Sequence, residues 1–549
     1  MNFKGKRAMN KSTNRIPSES EDESDNSGSD SSKEEKISYY EESSASEPEI
    51  ECCNWDDDCR VVSTHESVTS GYHLMPTCHR DPDGRPVKKQ KVTPEMNNSL
   101  LTKTLLDELK KCWSCNKNLQ NNHFELIVEP FKVCVINNLI ENSHLLDDIR
   151  NEFYELDWNT RNMDLYEFFQ SKDLKYLTSE HIRNMFDFLK GDLMQWVMNI
   201  TGLNLTHVSA TCSLYSNTDY LLVHDDQRED RMVAFILYLT GKEGWNESKG
   251  GSLQLLNKDD KGQPLDVVRN IIPSNNQLVI FPVTSDSYHQ VAEVTCMDDC
   301  RLSINGWFHT KVSPVFNSPS YNVPESGLYS NESIKAKEVD IDLESWINED
   351  YLNFKAIKLI QEHIEENSEI SLRMFFKNES FNEILQTLQS EDIHWMKVGP
   401  PNRYKYEKID LIKLPHSLER FLSLFQSTAM FGLLQQYTDL ELLNSNASMK
   451  FELQRWDPGS YSLLSDYNWQ QKNELDLIMY FGCTKSSDVI GARTQYVTVE
   501  DEIQNALITL EPEQNNLNIV YRDSARFTKY FSKRSKCQRF YTLICSYSE

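Results

Sequence analysis

The chain has 549 residues, thirteen cysteines and a formal net charge of −27. That length exceeds what one ordinary core encloses, so two globular domains plus tails are expected. The cysteines are odd in number and scattered, no stretch reaches the roughly 20 apolar residues of a membrane span, and no apolar segment follows the basic start Met1 to Arg7; a disulfide framework, a membrane protein and a secreted protein are therefore all unexpected.

Residues 1–95 read as a disordered, serine-rich acidic tail. Between Ser18 and Asp58 stand 16 acidic residues against two basic ones, Lys33 and Lys36, so this stretch contributes −14 of the −27 and leaves −13 elsewhere. Low apolar content and like-charge repulsion leave nothing to offset the entropy of ordering it. Ser18, Ser20 and Ser24 precede acids and fit acidophilic kinase sites as well as a merely solvating tail. The cluster Arg85-Pro86-Val87-Lys88-Lys89-Gln90-Lys91 fits nuclear import or a plain linker, and a nuclear and cytoplasmic location is expected. Cys112-Trp113-Ser114-Cys115 lacks a second ligand pair at zinc-finger distance, so free thiols are expected; Cys52, Cys53, Cys59 and Cys78 with His65, His73 and His79 are too irregularly spaced for a structural zinc.

From 124 to 202 the apolar spacing is helical, most clearly over 137–156 and 181–200, and these helices should back a sheet. Residues 206–310 are β-rich and carry the chemistry. The run Tyr220-Leu221-Leu222-Val223 leads into His224-Asp225-Asp226, and strand alternation is expected to project His224 and Asp226 to the same side. His289 follows sixty-five residues later, after the apolar stretch 277–281. Two imidazoles and one carboxylate on one face of Fe(II) leave positions open, as oxygen activation requires, whereas a structural zinc site is closed. In Arg301-Leu302-Ser303-Ile304-Asn305 the alternation points Arg301 into the pocket, where a planar guanidinium can hold the far carboxylate of 2-oxoglutarate by two parallel hydrogen bonds. Tyr238 lies on the apolar segment 233–239 and needs a partner for its phenol. Gly250-Gly251-Ser252-Leu253-Gln254-Leu255 lies between the ligand motifs, and His207 and His309 read as core or rim histidines.

The stretches His224-Asp225-Asp226, Phe235-Ile236-Leu237-Tyr238-Leu239, Tyr288-His289-Gln290-Val291 and Asn305-Gly306-Trp307-Phe308-His309 resemble the ribosomal prolyl 3-hydroxylase branch of the 2-oxoglutarate and Fe(II)-dependent oxygenases, over roughly residues 110–547. The resemblance implies a double-stranded β-helix, with Fe(II) held by His224, Asp226 and His289 and 2-oxoglutarate held by Arg301 and Tyr238. It also implies L-ascorbate and O2 as participants. The substrate it implies is a decoding-centre proline of a small-subunit ribosomal protein, hydroxylated at C3, with an effect on translation.

The C-terminal half reads as a second copy. Trp395 follows Trp158 at an offset of 237, Tyr404 and Tyr406 answer the aromatics at 166–169, 461–467 falls on 220–226 at 241, Tyr480 on Tyr238 at 242, and Asn515-Asn516 on Asn275-Asn276 at 240. Ser465 stands at His224, Tyr467 at Asp226 and Lys529 near His289, a set that suits no divalent metal. The expected architecture is thus mainly β with flanking helices (α+β), as two tandem double-stranded β-helix (jelly-roll) domains: a catalytic one at 110–312, a linker rich in Pro, Ser and Asn at 313–339, and a non-catalytic one at 340–549. Three functions are weighed: a protein prolyl hydroxylase, a nucleic-acid dealkylating oxygenase, and a non-catalytic scaffold. The dealkylase needs a basic groove, which an acidic chain disfavours, so no direct nucleic-acid partner is expected; intact ligands in the first half argue against a scaffold alone.

Overall fold

The structure, a computed structural model, describes residues 93–241, 243–315, 333–464, 474–500 and 503–549. The acidic tail, the basic cluster and the tail Cys/His residues lie outside the described residues, as do Ser465 and Tyr467.

The first half contains helix α1 (Lys103–Ser114), strands β1 (Leu119–Gln120), β2 (Phe124–Ile127) and β3 (Val133–Ile136), helix α2 (His144–Glu152), strands β4 (Asn159–Asn162) and β5 (Tyr166–Gln170), and helices α3 (Glu180–Phe188) and α4 (Met194–Thr201). Eight strands follow: β6 (His207–Tyr215), β7 (Tyr220–His224), β8 (Arg231–Tyr238), β9 (Leu253–Lys258), β10 (Pro264–Ile271), β11 (Gln277–Pro282), β12 (His289–Val291) and β13 (Arg301–His309). Their order is β1-β2-β3-β11-β8-β13-β6-β5-β7-β12-β9-β10, with β4 beside β5. The sheet folds over on itself: β3, β11, β8, β13 and β6 form a helix-backed wall, and β7, β12, β9 and β10 form the facing one, with Val133, Ala234 and Val279 packed against Leu253, Leu255 and Ile271.

The helical reading of 124–202 holds for α2, α3 and α4 but not throughout. Phe124 and Leu126 alternate with half-buried neighbours, and Val133-Cys134-Val135-Ile136 is buried on both faces, so this stretch forms strands beside β11. A continuous apolar run of four fits a buried strand as well as a helix turn, and the sheet decides. The stretch 181–200 is helical, with α3 passing through a π-turn (Leu189–Leu193) into α4, which Gly202 ends at a φ of 72°. Leu109, Ile149, Ile182, Met185 and Val197 bury against Cys212, Leu214, Phe235, Leu237 and Ile304 of the wall, about 1.5–3 kcal/mol for each large side chain. The domain begins earlier than 110, because α1 joins this core and Met96 bridges Ile140. Cys112 and Cys115, at the end of α1, are free thiols. Among the described residues no helix is long and apolar enough to cross a membrane.

The second half contains helix α5 (Phe354–Asn367), strand β14 (Glu369–Arg373), helix α6 (Asn378–Leu388), strands β15 (Trp395–Val398) and β16 (Tyr404–Ile409), helices α7 (His416–Gln426) and α8 (Thr428–Thr438), and strands β17 (Ser448–Trp456), β18 (Tyr461–Ser462), β19 (Glu474–Phe481), β20 (Thr494–Glu500), β21 (Ile503–Leu510), β22 (Asn516–Arg522), β23 (Ala525–Thr528) and β24 (Phe540–Ser548). The order β14-β22-β19-β24-β17-β16-β18-β23-β20-β21, with β15 beside β16, matches β3-β11-β8-β13-β6-β5-β7-β12-β9-β10 with β4 beside β5, strand for strand. The repeat reaches individual hydrogen bonds. Asn276 (φ 60°) exchanges side-chain bonds with the backbone of Ile140 and gives its own N–H to Tyr238 O; Asn515 (φ 58°) does the same with Phe376 and Tyr480. The true offset there is 239, one residue from the sequence alignment.

Residues 333–339, expected as linker, instead dock on the second domain: Ile334 bridges Met449 of β17 and Lys337 bridges Ser427 between α7 and α8. The two halves meet where β7 and the end of β12 face β18 and β23. Tyr220 and Leu222 pack there with Tyr461 and Leu463, which occupy the same strand positions in the second copy, and with Tyr530.

Candidate active site

His224 ends β7 and His289 begins β12, and the two residues pair directly. Between this pair and the next, Leu221 with Val291, β7 holds one residue more than β12, which is a β-bulge. The bulge shifts the pleat, so Leu221 and His224 both face the barrel interior while Tyr220 and Leu222 face the second domain. Asp226 lies beyond the strand at a φ of 62°, so a left-handed turn, and not the strand alternation expected from the sequence, swings its carboxylate back beside the histidines.

The three side chains are posed for a metal. His224 Nδ1 donates to Leu222 O and His289 Nδ1 to Ser287 O, both at 2.8 Å, which leaves each Nε2 lone pair free. These Nε2 atoms stand 3.6 and 3.5 Å from the two oxygens of Asp226. Ligand atoms on one ion at about 2.0–2.2 Å lie roughly 3 Å apart, so little movement is needed. The imidazole rings are tilted by 52°, so their in-plane lone pairs converge. Burial and the neighbouring His289 push His224 down to about 4, which keeps it neutral and able to ligate. Burial alone would raise Asp226, but His289, His224 and Arg231 outweigh it and hold the carboxyl below its ordinary range.

Arg301, at the start of β13, is 1% exposed and has no carboxylate partner among the described residues. Its guanidinium lies 4.9 Å from the ring centroids of both Tyr215 and Tyr238, its Nε is unbonded, and Nη1 reaches Ser303 Oγ at only 3.5 Å. The Tyr238 hydroxyl beside it is also buried and without a hydrogen bond. A buried, unneutralised cation with idle donors costs several kcal/mol, and an anionic ligand with two acceptor oxygens removes that cost. This donor set fits the far carboxylate of a dicarboxylate. Leu302 and Ile304 turn the other way into the helix-backed core, as their alternation implies. The Gly250-Gly251 pair makes room: a Cβ on Gly251 (φ 67°) would lie 3.0 Å from Arg301 Cδ, and one on Gly250 2.0 Å from Glu293 O.

One neighbour was not singled out from the sequence. Arg231 Nη1 lies 4.0 Å from Asp226 Oδ1, and its guanidinium stacks 3.5 Å over Trp307. An arginine five residues past His-x-Asp was the only signal. Among the described residues a second cluster, His207, Asp230 and His309, also brings two imidazoles to a carboxylate. Its rings are stacked 8° from parallel, and His309 donates to Asp230 at 2.7 Å. Parallel planes cannot aim two in-plane lone pairs at one ion, so this is a hydrogen-bonded rim pair.

In the second copy the register places Arg526, not Lys529, at the position of His289: Thr528 pairs with Thr494 as Val291 does with Leu253, and Tyr496 with Arg526 as Leu255 does with His289. Lys529 instead reaches across the interface to Asn162 and, at 3.2 Å, Glu167. Phe540 stands where Arg301 does. Arg526 bonds the fully buried Asp476, which also accepts from Tyr496 at 2.8 Å and from Ser546. Burial would raise Asp476, but Arg526 and Arg522 hold it below its ordinary value. At the position of His289 the second copy thus holds an arginine engaged in an internal ion pair. Arg526→Ala should cost about 3 kcal/mol of second-domain stability by chemical denaturation, the low end for breaking a buried pair because Arg522 remains 4.0 Å away, with metal stoichiometry unchanged.

Residues 210–309 match the family described as the 2OG-Fe(II) oxygenase superfamily, and residues 338–549 match oxoglutarate and iron-dependent oxygenase degradation C-term. The protein is therefore a 2-oxoglutarate-dependent dioxygenase, a class that uses Fe(II) and 2-oxoglutarate. Along its length it is 35% identical over 457 residues to Prolyl 3-hydroxylase sudestada1 of Drosophila melanogaster, covering 77% of this chain and 84% of that one. It is 33% identical over 523 residues to Prolyl 3-hydroxylase OGFOD1 of Mus musculus, covering 82% and 94%. The chain belongs to this OGFOD1 and sudestada1 family. Among solved structures, a Pseudomonas putida prolyl-4-hydroxylase covers 38% of this chain and 99% of its own at 19% identity and a TM-score of 0.29, a likeness too loose to carry weight.

Proposed function

We propose that this protein hydroxylates C3 of a decoding-centre proline in a small-subunit ribosomal protein, and so affects translation, using Fe(II) held by His224, Asp226 and His289. The observation that carries the chemistry is the pairing of a preformed two-histidine, one-aspartate cluster with the unneutralised Arg301 behind it. The substrate rests on whole-chain relatives named prolyl 3-hydroxylases. L-ascorbate is proposed as the reductant that keeps the iron ferrous.

The bound iron supplies oxygen activation, coupled to conversion of 2-oxoglutarate into succinate and carbon dioxide. The chain supplies position and dryness. Arg301, flanked by two tyrosine rings, fixes the far carboxylate of 2-oxoglutarate and so the direction in which its keto-acid end points. Arg231, 4.0 Å from Asp226 and stacked on Trp307, orients the ligating carboxylate. Phe281, edge-on to His289 at 4.8 Å, and Leu255 exclude water from the interior.

The test is succinate production by full-length protein with iron and 2-oxoglutarate, with and without the ribosomal protein, read beside the intact mass of that protein. A gain of one oxygen on its decoding-centre proline is the expected result; turnover without that gain sinks the substrate. Tyr238→Phe removes one hydrogen bond and should raise the apparent KM for 2-oxoglutarate about fivefold, roughly 1 kcal/mol.

A further inference from the structure

Strand β7, which carries His224, and the segment just past β12, which carries His289, both turn side chains into the second domain. On β7 the bulge sends Tyr220 and Leu222 into the interface, where the Tyr220 ring lies 4.6 Å from that of Tyr530. Just past β12, four residues after His289, Glu293 is 3% exposed, and its carboxylate accepts from Lys533 N at 2.8 Å, from Tyr530 Oη at 3.3 Å and from Ser532 Oγ. All three donors belong to the second domain. The segment is also tied to the turn before β7, since Val294 N donates to Asp219 O and Thr218 N to Val294 O. β12 itself is only three residues long, paired with β7 on one side and β9 on the other.

We infer that the second domain sets the spacing of the two imidazoles, with Glu293 as the positioning residue that fastens the His289 strand to it. This rests on the iron-site reading above. A metal site tolerates about 0.5 Å of misplacement, and the ladder bonds of a three-residue strand are here supplemented from the second domain. Three hydrogen bonds to one buried carboxylate, with an aromatic contact on the neighbouring strand, clamp both strands from outside. The buried Asp476–Arg526 ion pair, with Arg526 at the position of His289, is consistent with a rigid support. Neither Tyr530 nor Ser532 faces the iron site, so any effect they have on it passes through the clamp.

The probe is Co(II), whose visible absorption reports coordination geometry, titrated into metal-free full-length protein. The parent, the Tyr530→Phe/Ser532→Ala double variant and Glu293→Gln are compared, with Ser532→Ala alone as the milder form should the double variant fold poorly. The clamp variants should bind Co(II) about 10-fold more weakly, the low end for outer-shell partners, and show a shifted absorption band. Far-ultraviolet circular dichroism should be unchanged, and amide exchange should be faster at 289–294. A purely structural contact would lower the melting temperature and leave the Co(II) band where it was; that result, with affinity within twofold of the parent, overturns the inference. His224→Ala separates the two readings. Loss of Co(II) in His224→Ala with parental behaviour in the clamp variants refutes the clamp alone, whereas unaltered Co(II) binding in His224→Ala refutes the iron site beneath it.

Discussion

Replacing His289 with alanine is expected to bring turnover to background while the fold stays intact, with His224→Ala and Asp226→Ala doing the same. Outer-shell partners of metal ligands typically cost 10–100-fold, and loss of one of only three protein ligands should exceed that. The fold should persist because neither imidazole holds the barrel together: the His224 strand keeps its neighbours β5 and β12, and each Nδ1 bond is local. Removing a side chain also relieves the crowding of two imidazoles whose rings lie 4.2 Å apart in a buried site. Succinate release and bound iron, measured together with the thermal melt, check this. Succinate production near the parental rate by any of the three variants would refute the metal assignment, and a collapsed melt would mean that the histidines support the fold.

Arg301→Ala should behave differently in kind. Iron still binds, but 2-oxoglutarate loses the partner of a buried charge, worth about 2–5 kcal/mol, or a rise in dissociation constant from about 30-fold to a few thousandfold. The stability effect runs the other way. The guanidinium is buried with Nε unbonded, so without ligand it is a burden on the fold, and its removal should leave the melting temperature of ligand-free protein unchanged or higher. Added 2-oxoglutarate should raise the melting temperature of the parent and not that of the variant, by the usual linkage of binding to stability. Equal thermal shifts in the two proteins would place the anchor elsewhere.

Much of the site was legible in the chain because its chemistry depends on residue type at short range. His224, Asp226 and His289 are few and distinctive, and an arginine in an alternating apolar stretch has one reasonable direction to face. The repeat was legible for the same reason: Trp158 with Trp395, Tyr166 with Tyr404 and Tyr220 with Tyr461 recur in the same order, at offsets that drift only from 237 to 241, because aromatic packing positions tolerate little change. The β-rich character after residue 206 followed from its apolar pattern and the double-stranded β-helix from the family resemblance, whereas β2 and β3 followed from neither, since four apolar residues in a row fit a buried strand and a helix turn equally.

What the sequence by itself determined is which residues are candidates for the site and, through the family resemblance, the class of fold that presents them. Tertiary structure alone decided how those groups meet. Whether His224 faces inward depends on one extra residue in β7 relative to β12, and a bulge is a property of a strand pair, not of either strand. Asp226 arrives through a left-handed turn that nothing in His-Asp-Asp requires. The replacement of His289 by Arg526 and not Lys529 is a matter of register, settled by the pairing of β23 with β20 across thirty residues of chain. Nothing in the sequence marks Glu293, and Lys529 reads there as the counterpart of His289; both are buried because two repeats of one fold close over them, and only long-range packing decides which charges lie at that seam.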